Sequence, residues 1–196
     1  MSTYSDLQLD ALREIANIGS GTAGTALAAM LGRSVDLSVP HVEAVPLVEA
    51  VEAVGDPARP TTAALLPIVG ALDGVVLLLF RTDAADTLCR LLGVEPGSEI
   101  ADSALSEIGN VLGTSYLNSI AAMSGLALEP KPPEVVTDVL GAIVSSVLMH
   151  VAGGEDVALL LDTQLRVEDE ECAVSFLLVP EGDGVQELLT RLGLPT

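Results

Sequence analysis

At 196 residues, 49% of them hydrophobic, the chain can bury a substantial core as one large domain or two small ones. Its 28 acidic residues outnumber 8 basic ones, leaving a net charge of −20, and Lys131 is the sole lysine. That balance argues against nucleic acid or anionic lipid as a partner, and with no Trp, two Phe and two Tyr there is no platform for stacking bases.

The first residues, Met1 to Asp6, lack the basic and apolar regions of a signal peptide. Ser5-Asp-Leu-Gln8 reads as a capping box opening a helix from about Asp6 to Leu31. Leu12, Ile15, Ala16, Ala23, Ala26, Leu27 and Met30 face inward at its period, and Gly32 is its stop. Gly19, Gly21 and Gly24 each cost roughly 1 kcal/mol relative to alanine in a helix, which points to a neighbouring element approaching closely. Ser34 to Val45 alternates as a strand with an edge or bend at Pro40, while Val45 to Val54 fits a short helix or more strand. After the loop from Gly55 to Pro60, Thr61 to Val69 and Gly74 to Phe80 form a hairpin around Gly70-Ala-Leu-Asp-Gly74. Thr82-Asp83 then caps a helix through Leu92, closed by Gly93.

The plan then repeats. A helix opens at Ser98 or Asp102 and runs to Ser124, with Gly109 and Gly113 implying tight packing; a strand from Leu126 to Glu129 bends at Lys131-Pro-Pro133. Val139 to Val151 is an apolar helix, and Asp156 to Val167 with Cys172 to Pro180 form a second hairpin around Glu168-Asp-Glu-Glu171. A last helix spans about Asp183 to Leu192. The acidic clusters at Gly153-Gly-Glu-Asp156 and Glu168 to Glu171 read as solvated turns. Neither apolar run, Ala63 to Phe80 or Val139 to Gly153, is suited to crossing a bilayer, so a cytoplasmic protein is expected.

The repetition is literal. Asp10-Ala-Leu-Arg-Glu14-Ile-Ala-Asn17 is answered 93 residues later by Ser103-Ala-Leu-Ser-Glu107-Ile-Gly-Asn110, and the offset holds through Pro40 and Pro133. Two halves, about 1–95 and 96–196, therefore share one domain. The expected fold is α+β: a pseudo-twofold duplication with a mixed or antiparallel sheet and long motif helices against it. An aliphatic interior under an acidic exterior also reads as adaptation to a salt-rich cytoplasm, where screening relieves self-repulsion. Cys89 and Cys172 have no metal-ligand spacing and read as buried free thiols.

On a helix, Asp10, Glu14 and Asn17 share one face, as do Ser103, Glu107 and Asn110. Such residues are ordinarily just solvated. Against that, Asn is a poor helix former and Asp10 beside Glu14 is a like-charge pair. Neighbouring positions have drifted between copies (Arg13 to Ser106, Ser20 to Gly113) while Glu and Asn have not. Asn offers only hydrogen bonds, so it can position water or an amide, and Glu can anchor a cation. No His, Ser or Cys stands by as nucleophile; His41 and His150 are isolated, and a metal bound by Asp10 and Glu14 would need ligands from elsewhere.

The pattern (Asp or Ser)-x3-Glu-x2-Asn, with proline 23 positions on, resembles the signature of the CheC family of chemotaxis phosphatases, which includes CheX and FliY. Both copies meet it: Asp10, Glu14, Asn17 and Pro40, then Ser103, Glu107, Asn110 and Pro133. The resemblance, to a stand-alone CheC, implies hydrolysis of the aspartyl phosphate on a CheY-type response regulator, with Mg2+ on that partner and no cofactor on this chain. It implies that Asn17 and Asn110 orient the water, that Glu14 and Glu107 pair with the partner's lysine, and that Asp10 and Ser103 support them. It also implies a second partner, the receptor deamidase CheD, for which the Val139 to Val151 helix is a candidate surface unless the core claims it. The alternative is a non-catalytic adaptor of the same fold, binding phosphorylated CheY, CheD or both.

Overall fold

The three-dimensional structure is a computed structural model that describes residues 4–151 and 157–194. Its elements follow the chain as α1 (Asp6–Leu31), β1 (Val35–Pro46), a single 3-10 turn (Leu47–Glu49), α2 (Ala50–Val54), β2 (Pro60–Gly70), β3 (Gly74–Arg81) and α3 (Thr82–Leu91). The second half supplies α4 (Glu99–Ser124), β4 (Leu128–Pro130), β5 (Glu134–Val139), α5 (Leu140–Val151), β6 (Val157–Val167), β7 (Glu170–Pro180) and α6 (Gly184–Arg191). Of the segment left open between helix and strand, Val45 and Pro46 finish β1 and the rest is helical, and the Gly153 to Asp156 cluster lies outside the described residues.

All seven strands join one antiparallel sheet in the order β1-β6-β7-β3-β2, with β4 and β5 both on the far edge of β2. Exchanging each strand for its counterpart in the other half returns the same order. Each half therefore lays its edge strand against the other half's hairpin: β1 on β6, and β4–β5 on β2. The central hairpin strands β3 and β7 meet where the halves join.

Alternation along the strands sends side chains to opposite faces, and both are covered. Val76, Leu78 and Phe80 of β3, with Val174, Phe176 and Leu178 of β7, face the larger core beneath α1, α3, α4 and α6. Leu77 and Leu79, with Leu177 and Val179, face a second core capped by α2 and α5. The apolar face of α5 (Leu140, Ile143, Val144, Val147) is spent on that second core. Cys89 and Cys172 are both free and buried. Among the described residues, no helix is long and apolar enough to cross a membrane.

The two long helices pack on each other where Gly19 meets Tyr116: a Cβ at Gly19 would fall 2.7 Å from the ring and 3.0 Å from the backbone. Gly109 and Gly113 bring α4 onto Ala64 and Leu66 of β2 in the same way, whereas Gly21 faces open space and Gly24 has ordinary clearance. The expectation of close approach therefore holds for three of the five glycines. Ala26, expected inside, is exposed, because α1 turns its last two turns toward β1 through Gly24 and Leu27 instead. A buried hydroxyl chain locks the crossing: Tyr116 lies 3.0 Å from Ser20, and Thr163 of β6 lies 3.5 Å from Tyr116. Ser20 gives its proton to the Ala16 carbonyl, so Tyr116 is the donor to Ser20.

Candidate active site

Both motif helices begin with a side-chain cap and end in a left-handed glycine. Ser5 and Gln8 form the expected capping box on α1, Ser98 accepts from the Ala101 amide on α4, and Gly32 and Gly125 close them with φ of 63° and 71°. The inward stripe (Leu12, Ile15, Ala16 on α1; Leu105, Ile108, Leu112 on α4) is consumed by the main core. That anchoring leaves the opposite stripe in water.

On α1, Asp10, Glu14 and Asn17 are all exposed; on α4, Ser103 and Glu107 are exposed and Asn110 is half-buried. Asp10 forms an ion pair with Arg13 at 2.8 Å, which relieves its like-charge contact with Glu14. Ser103 donates back to the Glu99 carbonyl at 3.2 Å. Glu14 and Glu107 have no hydrogen-bond or ion-pair partner among the described residues and stand free for a cation from outside.

The two asparagines are held differently. Between Ser38 and His41, β1 carries one more residue than β6, a bulge that takes the Val39 amide out of the ladder. That N–H donates to Asn17 Oδ1 at 3.1 Å. A backbone donor can be met only by the oxygen of the amide, so Asn17 turns its NH2 group away from the strand. The second copy has its own irregularity, where Lys131 to Pro133 separate β4 from β5, and the Ser106 hydroxyl reaches the Pro133 carbonyl at 3.4 Å. The counterpart of Val39 there is Pro132, which has no N–H. Asn110 Oδ1 instead accepts from the Thr114 hydroxyl one turn on, at 3.3 Å.

Sequence reading put Glu14, Asn17, Glu107 and Asn110 on the outward stripes of the two helices but missed these donors. Offset comparison of Val39 with Pro132, and of Gly21 with Thr114, would have pointed to them. It missed as well the apolar ends of the stripes: Leu7 and Ile100, 93 residues apart, are 63% and 67% exposed. Each lies one helical step before Asp10 or Ser103, so both stripes read apolar, then polar, then amide.

The thiols and histidines form no part of the stripes. Burial first, then nearby Glu170 and Asp83, pushes the Cys172 thiol up to about 11, and burial with Asp86 and Asp102 raises Cys89. Neither thiol supplies a thiolate at neutral pH. His41 and His150 are exposed, the first 3.6 Å from Glu43 and the second bonded to the Ser146 carbonyl at 2.6 Å. In the second hairpin turn, Glu168 and Glu171 form exposed ion pairs with Arg33 and Arg166. Among the described residues, no group of three or more His, Cys, Asp or Glu side chains is gathered as a metal would require.

Comparison with known proteins yields a consistent set. The CheC-like family model matches residues 7–43 and 100–137, two stretches that start 93 residues apart and contain both motifs. The CheY-P phosphatase CheC of Bacillus subtilis is 32% identical over 95% of this chain and 94% of its own length. Among solved structures, FliY of Thermotoga maritima superposes with a TM-score of 0.80 at 18% identity, covering 97% of this chain and 98% of that one. A chain of the CheX–CheY–BeF3–Mg2+ complex from Borrelia burgdorferi matches with a TM-score of 0.50 at 13% identity, covering 86% and 96%. The last two likenesses establish the α+β fold.

Proposed function

This chain belongs to the CheC-like family, and on that premise we propose that it is a chemotaxis phosphatase hydrolysing the aspartyl phosphate of a CheY-type response regulator. The observation that carries this reading is the pair of outward stripes on which Glu14 and Glu107 are exposed and unpaired among the described residues, each one turn from an asparagine. The full-length relationship to a CheY-P phosphatase supports the substrate class.

Hydrolysis of an acyl phosphate asks little covalent work of the catalyst. The water oxygen bonds to phosphorus, the phosphorus–oxygen bond to the partner's aspartate breaks, and the carboxylate leaves with the electron pair as phosphate is released. The partner supplies the electrophile and Mg2+, so positioning is the remaining contribution. Asn17 and Asn110 would each hold the water in line, and Glu14 and Glu107 would bind the partner's lysine and so fix the docking angle. Asp10 and Ser103, occupied within their own helices, support the stripe rather than the chemistry.

CheD belongs to the same reading as a second partner. Because the inward face of α5 is spent on the core, docking there would fall to its outer face around the exposed Met149. One observation favours the adaptor alternative, in which phosphorylated CheY or CheD is bound without turnover: each asparagine already gives its oxygen to its own chain. Each still presents its nitrogen, which keeps the catalytic reading ahead.

The deciding experiment follows decay of phosphorylated CheY with wild type, Asn17→Ala, Asn110→Ala and the double variant. The expected result is acceleration by wild type, partial loss in each single variant, and decay at the unassisted rate in a folded double variant. Wild-type decay at the unassisted rate, with and without CheD and at high salt, would leave the adaptor.

A further inference from the structure

The duplication should have given the two amides identical surroundings, yet each site keeps one orienting donor and lacks the other. The first site has the Val39 N–H at 3.1 Å and glycine at position 21, where a side chain would meet nothing within 4 Å. The second has proline at position 132, with no N–H to give, and the Thr114 hydroxyl at 3.3 Å. From this exchange we infer that Thr114 is the positioning residue of the second site, doing for Asn110 what the bulged backbone of β1 does for Asn17.

The role follows from what an unheld amide would do. A free Asn side chain rotates about its terminal torsion between orientations that present oxygen or nitrogen outward, and only one serves a water held by N–H donation. A donor on the oxygen selects that one. Thr114 sits one turn beyond Asn110 on the same helix and half-buried beside it, so its hydroxyl reaches Oδ1 without a loop or a second element. The backbone donor at Val39 cannot turn away, whereas a hydroxyl can swing to its own helix carbonyl. The second amide is therefore the less firmly held, and the first site should have the higher turnover.

The inference rests on the phosphatase reading, and its test separates the two. Turnover of phosphorylated CheY is measured in the Asn17→Ala background, where only the second site works. Adding Thr114→Val should lower kcat about three- to tenfold, the worth of one orienting hydrogen bond, with KM unchanged. Thr114→Ser, which keeps the hydroxyl, should restore most of it. In the Asn110→Ala background Thr114→Val should change nothing, which a general effect on folding would not produce. An unchanged kcat for Thr114→Val beside Asn17→Ala overturns the inference while leaving the phosphatase intact, as does a rise in KM alone, which would make Thr114 a docking contact. Wild-type decay of phosphorylated CheY at the unassisted rate would overturn the phosphatase reading and this inference together.

Discussion

At Asn17 the oxygen and the nitrogen of one side chain have separate duties, because the Val39 N–H can be met only by an acceptor. Asn17→Ala and Asn17→Asp should therefore part company. Alanine strands the donor of Val39, a residue 1% exposed, at a cost of about 1 kcal/mol or more. Aspartate keeps the acceptor and should melt close to wild type, yet it removes the outward N–H and adds a negative charge facing the phosphate. Measured in the Asn110→Ala background, both variants should lose acceleration, while thermal melts separate them. Equal destabilisation would mean that the bond to β1 contributes nothing to the fold.

Among the elements, the crossing of α1 and α4 sets where both stripes point, and its closeness depends on Gly19. Alanine is normally preferred to glycine in a helix by roughly 1 kcal/mol. At Gly19 the added methyl would press on the ring and backbone of Tyr116, and overpacking of that kind costs about 1–3 kcal/mol. The clash should win, so Gly19→Ala is expected to destabilise. Gly21→Ala, on the open side, should be neutral or stabilising by up to about 1 kcal/mol. Urea denaturation of the two variants checks the sign of each, and a stabilised Gly19→Ala would mean that the helices are not packed this closely.

For the molecule as a whole, charge is the dominant unpaired quantity. Six of the eight basic side chains are already in exposed ion pairs, at Asp10, Glu168, Asp83, Glu129, Glu171 and Glu187. Such pairs are individually worth little, and with 28 acidic residues against 8 basic ones the net charge stays at −20. Self-repulsion of this size is relieved as the Debye length falls from about 10 Å at 0.1 M salt to about 3 Å at 1 M. We propose that stability is salt-dependent, with the melting temperature rising by several degrees or more over that range of KCl. A melt indifferent to KCl would make the acidity an ordinary surface property.

Helix boundaries were legible because their signals are local: Ser5 with Gln8, Gly32, Gly93 and Gly125 each act within one turn of where they stand. The strand Glu134–Val139, whose partner β2 lies far away in the chain, was not foreseen. The outward stripe was legible too, since the same period that buries Leu12 and Ile15 must expose Glu14 and Asn17. What pairs with what was beyond local reach. Periodicity cannot tell β1 that its neighbour is β6 of the other half, nor reveal that a bulge there frees the amide that grips Asn17. That choice belongs to the tertiary structure, because it depends on which donor the assembled sheet leaves without a partner; the inequality of the two sites, by contrast, is written in the sequence where Pro132 replaces Val39 and Thr114 replaces Gly21.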